Sequence, residues 1–488
     1  MDEQKEVAKQ NENSITAKKE EDFPEWYSQV VLKAGLADYA PMKGSIAFRV
    51  DSYEIWENVQ KAFDKMIKST GHRNIYLPLL IPEKFLELEG EHFEGFKPEV
   101  FWVTKSGDSE LHERLAIRPT SEAIVYYFFA KWIRSWRDLP LLLNQWCNVL
   151  RGEIKDTKPF LRTTEFLWQE GHTAHATKEE AEKEVMQISE FYRQIIEDYL
   201  AIPVLIGKKS EMEKFPGADY TVTFEALMPD GRALQAGTSH YLGQNFSKPF
   251  GVRFLDKSGN EDMPYTTSWG ITTRLIGGLI MVHGDNRGFV APPNVAPLEI
   301  VIVPIYKDDS KERVLAYSNE LLKRLASKGF RAKLDDREGY TPGWKFNEWE
   351  LRGVPLRIEL GPRDMDAKQL VIVRRDTGEK LTVKETDVFK KAKAQLKAIQ
   401  KALFKNASKR LKKGITSVKS YNEFKKALER RKGFIRANWC ASSDCELKIK
   451  EETGATCRLI KLEKEQTFGN CVYCGKEARV VAYFAKAY

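Results

Sequence analysis

The stretch Arg151-Gly-Glu-Ile-Lys-Asp-Thr-Lys-Pro-Phe-Leu-Arg-Thr-Thr-Glu-Phe-Leu-Trp-Gln-Glu170 decides the fold. Upstream of it, Leu141 to Glu153 is rich in Leu, Val and Trp, and the middle holds Lys155, Asp156 and Pro159. An apolar run, a polar loop and a second apolar run predict a hairpin whose second strand starts at Arg162. Such a hairpin brings Arg151 and Arg162 together, followed by Phe166 and Trp168. Guanidiniums supply planar paired donors for phosphate oxygens, and an aromatic ring supplies a stacking face for a flat base. Taken alone, the segment reads either as a polyphosphate site or as a surface hairpin with solvated arginines.

Working outward, Tyr53, Ile55, Trp56, Val59, Phe63, Met66 and Ile67 recur at helical spacing and predict a helix over Val50–Ser69 ended by Gly71. Ile75 to Ile81 follows as a strand interrupted at Pro78, which suits an edge or an interface. Helical patterning returns from Lys178 to Leu200, and strands are expected at Tyr220–Leu227, Arg232–Gly237 and Val252–Leu255. Trp269 to Asp285 reads as a strand end turning into an apolar helix that opens with Arg274. A cation there is expensive without an anion. Ala291-Pro-Pro-Asn-Val-Ala-Pro297 reads as a rigid linker. Beyond it, strands Leu298–Tyr306, Phe330–Asp335, Pro355–Leu360 and Gln369–Arg374 alternate with helices Ser310–Lys328 and near Trp344–Leu351, which predicts a small α/β domain with a mixed sheet.

Composition bounds the rest. At 488 residues, 42% apolar and 30% charged, the chain has room for two to four domains with their own cores. No segment reaches about 18 uninterrupted apolar residues, so no membrane span is expected. The polar start, Met1 to Glu25, lacks the apolar core of a secretory signal, and residues 1–22 are expected to be disordered. Net charge is +8, but Lys401 to Lys432 holds twelve Lys/Arg against Glu423 and Glu429, a local +10 that leaves the remainder near −2. That segment suits a polyanion contact or a solvated amphipathic helix. Of six cysteines, Cys147 lies in an apolar strand and is expected to be a buried core thiol. The other five lie beyond residue 439. Cys440-x4-Cys445 and Cys471-x2-Cys474-Gly475 form a plausible tetrathiolate zinc site, structural because four thiolates leave no open position, with Cys457 as a possible substitute ligand. This is not the pattern of a secreted disulfide framework.

Arg-x-Glu, a loop and Arg-x-x-x-Phe resemble motif 2 of the class II aminoacyl-tRNA synthetases. The run from Pro159 to His172 resembles the prolyl branch, of the archaeal and eukaryotic type, and the likeness extends from about Phe23 to Tyr488. The helix-turn-strand at 50–81 resembles motif 1, which builds the dimer interface in that family. The segment around Arg274 resembles motif 3, although Thr272-Thr273 replaces the glycine-rich approach of the generic motif. The resemblance implies an antiparallel-sheet catalytic domain at 23–290, an α/β anticodon-binding domain at 296–400, and a basic segment with a small zinc-binding domain at 401–488. The overall class is then α/β and α+β multidomain.

The resemblance also implies roles. Arg151 meets the α-phosphate and the substrate carboxylate, Arg162 the terminal phosphates and Arg274 the γ-phosphate. Phe166 stacks on adenine, and Thr163, Gln235, Thr238 and Thr272 complete the ATP site. Thr120 and Glu122 would hold the prolinium ammonium, although Arg118-Pro-Thr-Ser-Glu122 also fits a helix capping box. Trp168, His172 and His240 would wall the proline pocket. Activation needs no side-chain base, because the attacking carboxylate is already ionised, so cations and positioning suffice. The expected reaction is ATP-dependent adenylation of proline, with Mg²⁺ on the phosphates, and transfer to tRNA(Pro) by a cytoplasmic homodimer. Gly171 to Trp269 leaves no room for an inserted editing domain, so editing in cis is not expected. Two alternatives are a threonyl-type relative, which would hold a catalytic zinc in the core, and a catalytically silent RNA-binding paralogue.

Overall fold

The computed structural model describes residues 14–92, 99–154, 156–430 and 433–488. Readings made on residues 1–13, on Lys155 and on the last two cations of the basic segment lie outside these. Among the described residues, one eleven-stranded sheet forms the body of the protein. Its catalytic part runs, in spatial order, through the strands Val204–Lys208, Tyr220–Leu227, Ala233–Gly243, Tyr265–Thr272, Glu165–His175 and Leu141–Leu150, all antiparallel neighbours.

The helix Val50–Ser69 forms as its spacing predicts and buries Ile55, Trp56, Val59, Phe63 and Ile67. Thr70 caps it, and Gly71 then adopts φ +92°, a conformation that favours glycine. Lys178–Arg193 is an α-helix whose last residues widen into a π-turn over Gln194–Tyr199. These helices and Arg274–His283 cover one side of the sheet, where Phe63, Tyr192, Phe224 and Trp269 pack together. Each such side chain contributes about 1.5–3 kcal/mol of hydrophobic stabilisation. Gly171 pairs with Trp269 in register, and a Cβ there would lie 2.1 Å from the indole. Only glycine lets that ring lie across the strand.

Several local expectations change. The hairpin's second strand begins at Glu165, because Lys158–Arg162 closes a turn with Phe160 at φ +62°, leaving Arg162 in the turn. Of Ile75–Ile81 only Leu80 and Ile81 are in a strand, Leu80–Pro82. Leu77 N–H instead donates to the Gln145 side chain, and Arg118 is held by the carbonyls of Leu77 and Asn148. The strand expected at Val252–Leu255 shrinks to Phe254–Leu255. Residues 14–22 are not a loose tail: Gln29 caps Thr16 and Ala17, and Lys19 N–H donates to Asn286 at 2.7 Å. Their partners are side chains that composition cannot reveal.

Beyond Pro297, the strands Ala332–Leu334, Ile300–Pro304, Leu356–Leu360, Gln369–Arg374 and Lys380–Lys384 form a mixed sheet, parallel among the first three and antiparallel among the last three. Ion pairs Arg352–Asp51 and Arg375–Asp285 fasten it to the catalytic body. The helix Val388–Lys413 carries a buried stripe from Val388 to Leu411 and runs through the expected boundary at 400/401. The basic segment is therefore the end of this helix, a short strand Ile415–Val418, and a second helix Tyr421–Arg430. Arg410 within it donates to Val282 O at 3.0 Å. The last three strands, Phe434–Trp439, Thr456–Lys461 and Val480–Ala485, join the catalytic sheet through Ile460↔Lys208 and Lys461↔Gly207. Among the described residues, no helix is long and apolar enough to cross a membrane.

Candidate active site

Period-two geometry places Phe166, Trp168, Glu170 and His172 on one face of their strand. All four line a cavity of about 390 Å³. The strand Ala233–Gly243, one strand further along the sheet beyond Tyr265–Thr272, carries a bulge: Phe224 pairs with Gly237 but Glu225 with Gln235. The extra residue, Ala236, turns Gln235 onto the face shared by Thr238 and His240, so all three reach the same cavity. Thr120, Glu122, Arg151, Arg162, Thr163, Thr272 and Arg274 also line it. Every site residue expected in the catalytic domain is thus brought to one place.

One end is cationic. Arg151 donates to Pro119 O at 3.2 Å and lies 5.4 Å from the Phe166 ring centroid and 5.9 Å from that of Trp168. Arg274 opens its helix with its N–H on Thr272 Oγ1 at 3.0 Å. Burial, reinforced by Arg151, lowers the Arg274 guanidinium to about 10, against the pull of Glu225. Burial likewise lowers Arg151, opposed by Glu153, Glu122 and Glu170. Among the described residues, no carboxylate hydrogen-bonds or ion-pairs with Arg151, Arg162 or Arg274. Three converging cations without such partners are a site for a polyanion.

The other end is built on Glu170. This buried carboxylate accepts from Gln145 Nε2 at 2.9 Å, His172 Nε2 at 3.0 Å and the Ser121 hydroxyl. Burial opposes its ionisation, but hydrogen bonding and charge from His172 outweigh that and hold it below the usual carboxylate range. Burial likewise opposes a charged His172, and Glu170 outweighs it and raises the ring. His240 is instead lowered to about 3 by burial, then by His172 and Lys209. Its Nδ1 meets Thr221 Oγ1 at 2.8 Å, and its ring lies 4.8 Å from that of Phe215. Thr120 Oγ1 bonds Glu122, while Ser121, the residue preceding the helix, makes no side-chain cap. The capping-box alternative therefore fails, and Glu122 faces the cavity. His172 Nδ1 and Ser268 Oγ are buried there without a partner, as groups awaiting a ligand are.

Sequence reasoning missed several residues of the cavity and of the network behind it. Gln145 and Glu170 lie within apolar strands and gave no motif of their own. Lys209, Glu213, Lys214, Phe215 and Pro216 come from a loop without regular pattern. Tyr488 also lines the cavity, with its N–H on Ala233 O at 3.1 Å and its hydroxyl on Asp230 at 2.7 Å. Cys147 is only half-buried: Trp168 Nε1 donates to its sulfur at 3.1 Å, and it faces Glu170 at 3.4 Å, so it borders this network instead of packing in a core.

The sulfurs of Cys440, Cys445, Cys471 and Cys474 all lie within 4.8 Å of one another, and among the described residues they form the one cluster that fits a metal ion. Cys457 is not part of it; it is buried in the strand Thr456–Lys461.

The segment 101–283 matches the family model of the class II tRNA synthetase core domain (G, H, P, S and T), 299–395 that of the anticodon binding domain, and 421–488 that of the prolyl-tRNA synthetase C-terminal domain. The chain is 51% identical over 471 residues to proline–tRNA ligase 2 of Clostridioides difficile, covering 96% of this chain and 97% of that one. It is 52% identical over 475 residues to proline–tRNA ligase of Cenarchaeum symbiosum, covering 97% and 99%. With that of Alkaliphilus oremlandii the identity is 52% over 469 residues, covering 96% and 97%. With three domain matches in chain order, near-complete coverage and a cavity that unites arginines free of carboxylate partners with a carboxylate network, the chain belongs to the proline–tRNA ligase family of class II aminoacyl-tRNA synthetases.

Proposed function

We propose that the two ends of the cavity divide the substrates of proline activation between them. The cationic end takes ATP, with adenine on Phe166 and beside Thr163, Gln235, Thr238 and Thr272. Arg162 and Arg274 meet the terminal phosphates, and Arg151 meets the α-phosphate and the proline carboxylate. At the other end Glu122 and Thr120 receive the two N–H donors of prolinium, while Trp168, His172 and His240 enclose the pyrrolidine ring. A proline carboxylate oxygen then forms a bond to the α-phosphorus, the bond to the bridging oxygen breaks, and pyrophosphate leaves with the electron pair. Mg²⁺ arriving with ATP neutralises phosphate charge. Transfer of the prolyl group to the terminal ribose of tRNA(Pro) releases AMP.

The observation that carries this reading is the absence of carboxylate partners on Arg151, Arg162 and Arg274 beside a saturated Glu170 network. ATP–pyrophosphate exchange tested across the amino acids checks it. Exchange should depend on proline; none with proline, or equal exchange with threonine, would refute it.

The reading extends to the rest of the chain. The cysteine cluster is a structural zinc site, since four thiolates satisfy a tetrahedral ion and leave no position for a substrate. Sulfur separations of 3.6 Å between Cys440 and Cys445 and 3.8 Å between Cys440 and Cys474 support it. Elemental analysis should find about one zinc per chain, lost in Cys471→Ser/Cys474→Ser with a lower melting temperature; stoichiometric zinc in that variant, or none in the parent, would contradict the assignment. The functional unit is a cytoplasmic homodimer joined through 50–81, where Val50, Tyr53 and Tyr76 are exposed.

A further inference from the structure

The C-terminal strands touch the catalytic sheet at one place that bears on the cavity. Thr456–Lys461 pairs with Val204–Lys208, the junction within the eleven-stranded sheet. Gly207 permits this: a Cβ there would sit 2.3 Å from Ile460 O. The loop Lys209–Pro216 leaves that strand directly. One side of the loop faces the cavity with Lys209, Glu213, Lys214, Phe215 and Pro216. The other side is held by the C-terminal module. Ser210 Oγ donates to Glu446 at 2.8 Å, and Glu213 lies 3.8 Å from Arg458 and 4.0 Å from Lys450.

Arg458 does more than touch the loop. Its Nε and Nη2 donate at 3.0 Å to the two oxygens of Glu225, a carboxylate with no exposed surface in the strand Tyr220–Leu227. Glu225 also accepts from Lys209 Nζ at 2.9 Å and Thr223 Oγ1 at 2.9 Å. A buried carboxylate shared by two cations fixes both, and losing one leaves charge uncompensated. From Lys209 the loop runs to Phe215, whose N–H donates to Thr221 Oγ1 at 3.0 Å and whose ring faces His240. A continuous set of contacts thus joins Arg458 to the end of the cavity assigned above to proline.

We propose that Arg458 is a positioning residue for amino-acid activation. From the C-terminal module it clamps Glu225 and Lys209, and so holds the loop Lys209–Pro216 as the wall of the proline end. The inference rests on the assignment of that end to proline.

The test is ATP–pyrophosphate exchange by the full chain, with proline and ATP varied in turn. Arg458→Ala should raise the KM for proline about tenfold and that for ATP less than about twofold. Arg458→Lys, which keeps the charge on Glu225, should recover most of the loss. An unchanged proline KM in folded Arg458→Ala, or an equal rise in both constants, would overturn the proposal. Should Arg458→Ala fail to fold, Arg458→Gln keeps a donor toward Glu225 while removing the charge that clamps it. It should show the same split at about threefold, and no split there also overturns the proposal. Wild type without proline-dependent exchange would sink the underlying assignment. Wild type with it and a normal Arg458→Ala would sink this inference alone.

Discussion

At one end of the cavity Arg151 and Arg274 crowd together, their charges repelling, with no carboxylate bonded to either among the described residues. At the other, Glu170 is buried and receives three strong hydrogen bonds, one from a histidine whose pKa it raises. The first end is organised for charge that a ligand brings; at the second, Glu170 is fully hydrogen-bonded before any ligand arrives, while His172 Nδ1 and Ser268 Oγ stay open. Removing a residue from the first end should therefore cost activity and little stability, and removing the hub of the second should cost stability first.

The largest effect is expected from Glu170→Ala. It strands His172 and takes the acceptor from the Ser121 hydroxyl and the shortest bond from Gln145 Nε2, so unfolding free energy should fall by about 3–5 kcal/mol in denaturant titration. A loss under about 1 kcal/mol would break the contrast. Arg274→Ala and Arg151→Ala should each slow adenylate formation by about 10²–10³, equivalent to roughly 2–4 kcal/mol. Relief of repulsion should leave their melting temperatures unchanged or higher, so marked destabilisation would contradict this account. Glu122→Gln should weaken proline by about 1–3 kcal/mol and ATP far less, because a charge opposite the secondary ammonium is lost. An unchanged proline KM would place Glu122 outside the binding contacts.

The smallest effect per group concerns pH. Burial lowers His240 and His283 to about 3 and His175 to about 4. The unfolded chain protonates these rings near pH 6.5, so between that value and their folded values it binds more protons than the native state. Stability therefore falls as pH drops through this window, by about 1.4 kcal/mol per ring per pH unit. His172 acts oppositely: its raised value adds stability below the ordinary imidazole range that is lost as pH rises through the folded value. One ring does not cancel three. Melting temperature should fall from pH 7 to 5, and a flat or rising profile would contradict the assignment of neutral buried rings.

How legible all this is in the sequence varies with the physics. The helix Val50–Ser69 and the strands Tyr220–Leu227 and Gln369–Arg374 match their expected bounds, because periodicity and a glycine or charged residue mark their ends. The strand after the motif 2 loop starts three residues later than its pattern suggests, since the turn depends on Phe160 at positive φ, which no propensity signals. Arg274 stands out because a cation opening an apolar helix is costly, and Arg151 and Arg162 because a hairpin brings two guanidiniums together. Glu170 and Gln145 do not, because Ser121, Leu77 and each other are partners distant along the chain, and burial is visible only in three dimensions. The bulge at Ala236 that aims Gln235 into the cavity is likewise a property of register. The contact of Arg458 with Glu225 spans 233 residues and was out of reach of any local pattern.

A crystal structure with a non-hydrolysable prolyl-adenylate analogue tests the division of the cavity most directly. The account predicts the pyrrolidine nitrogen within hydrogen-bond reach of Glu122 and Thr120, adenine stacked on Phe166, and the linking group against Arg151. A reversed orientation, or an analogue bound away from Glu122, would contradict it.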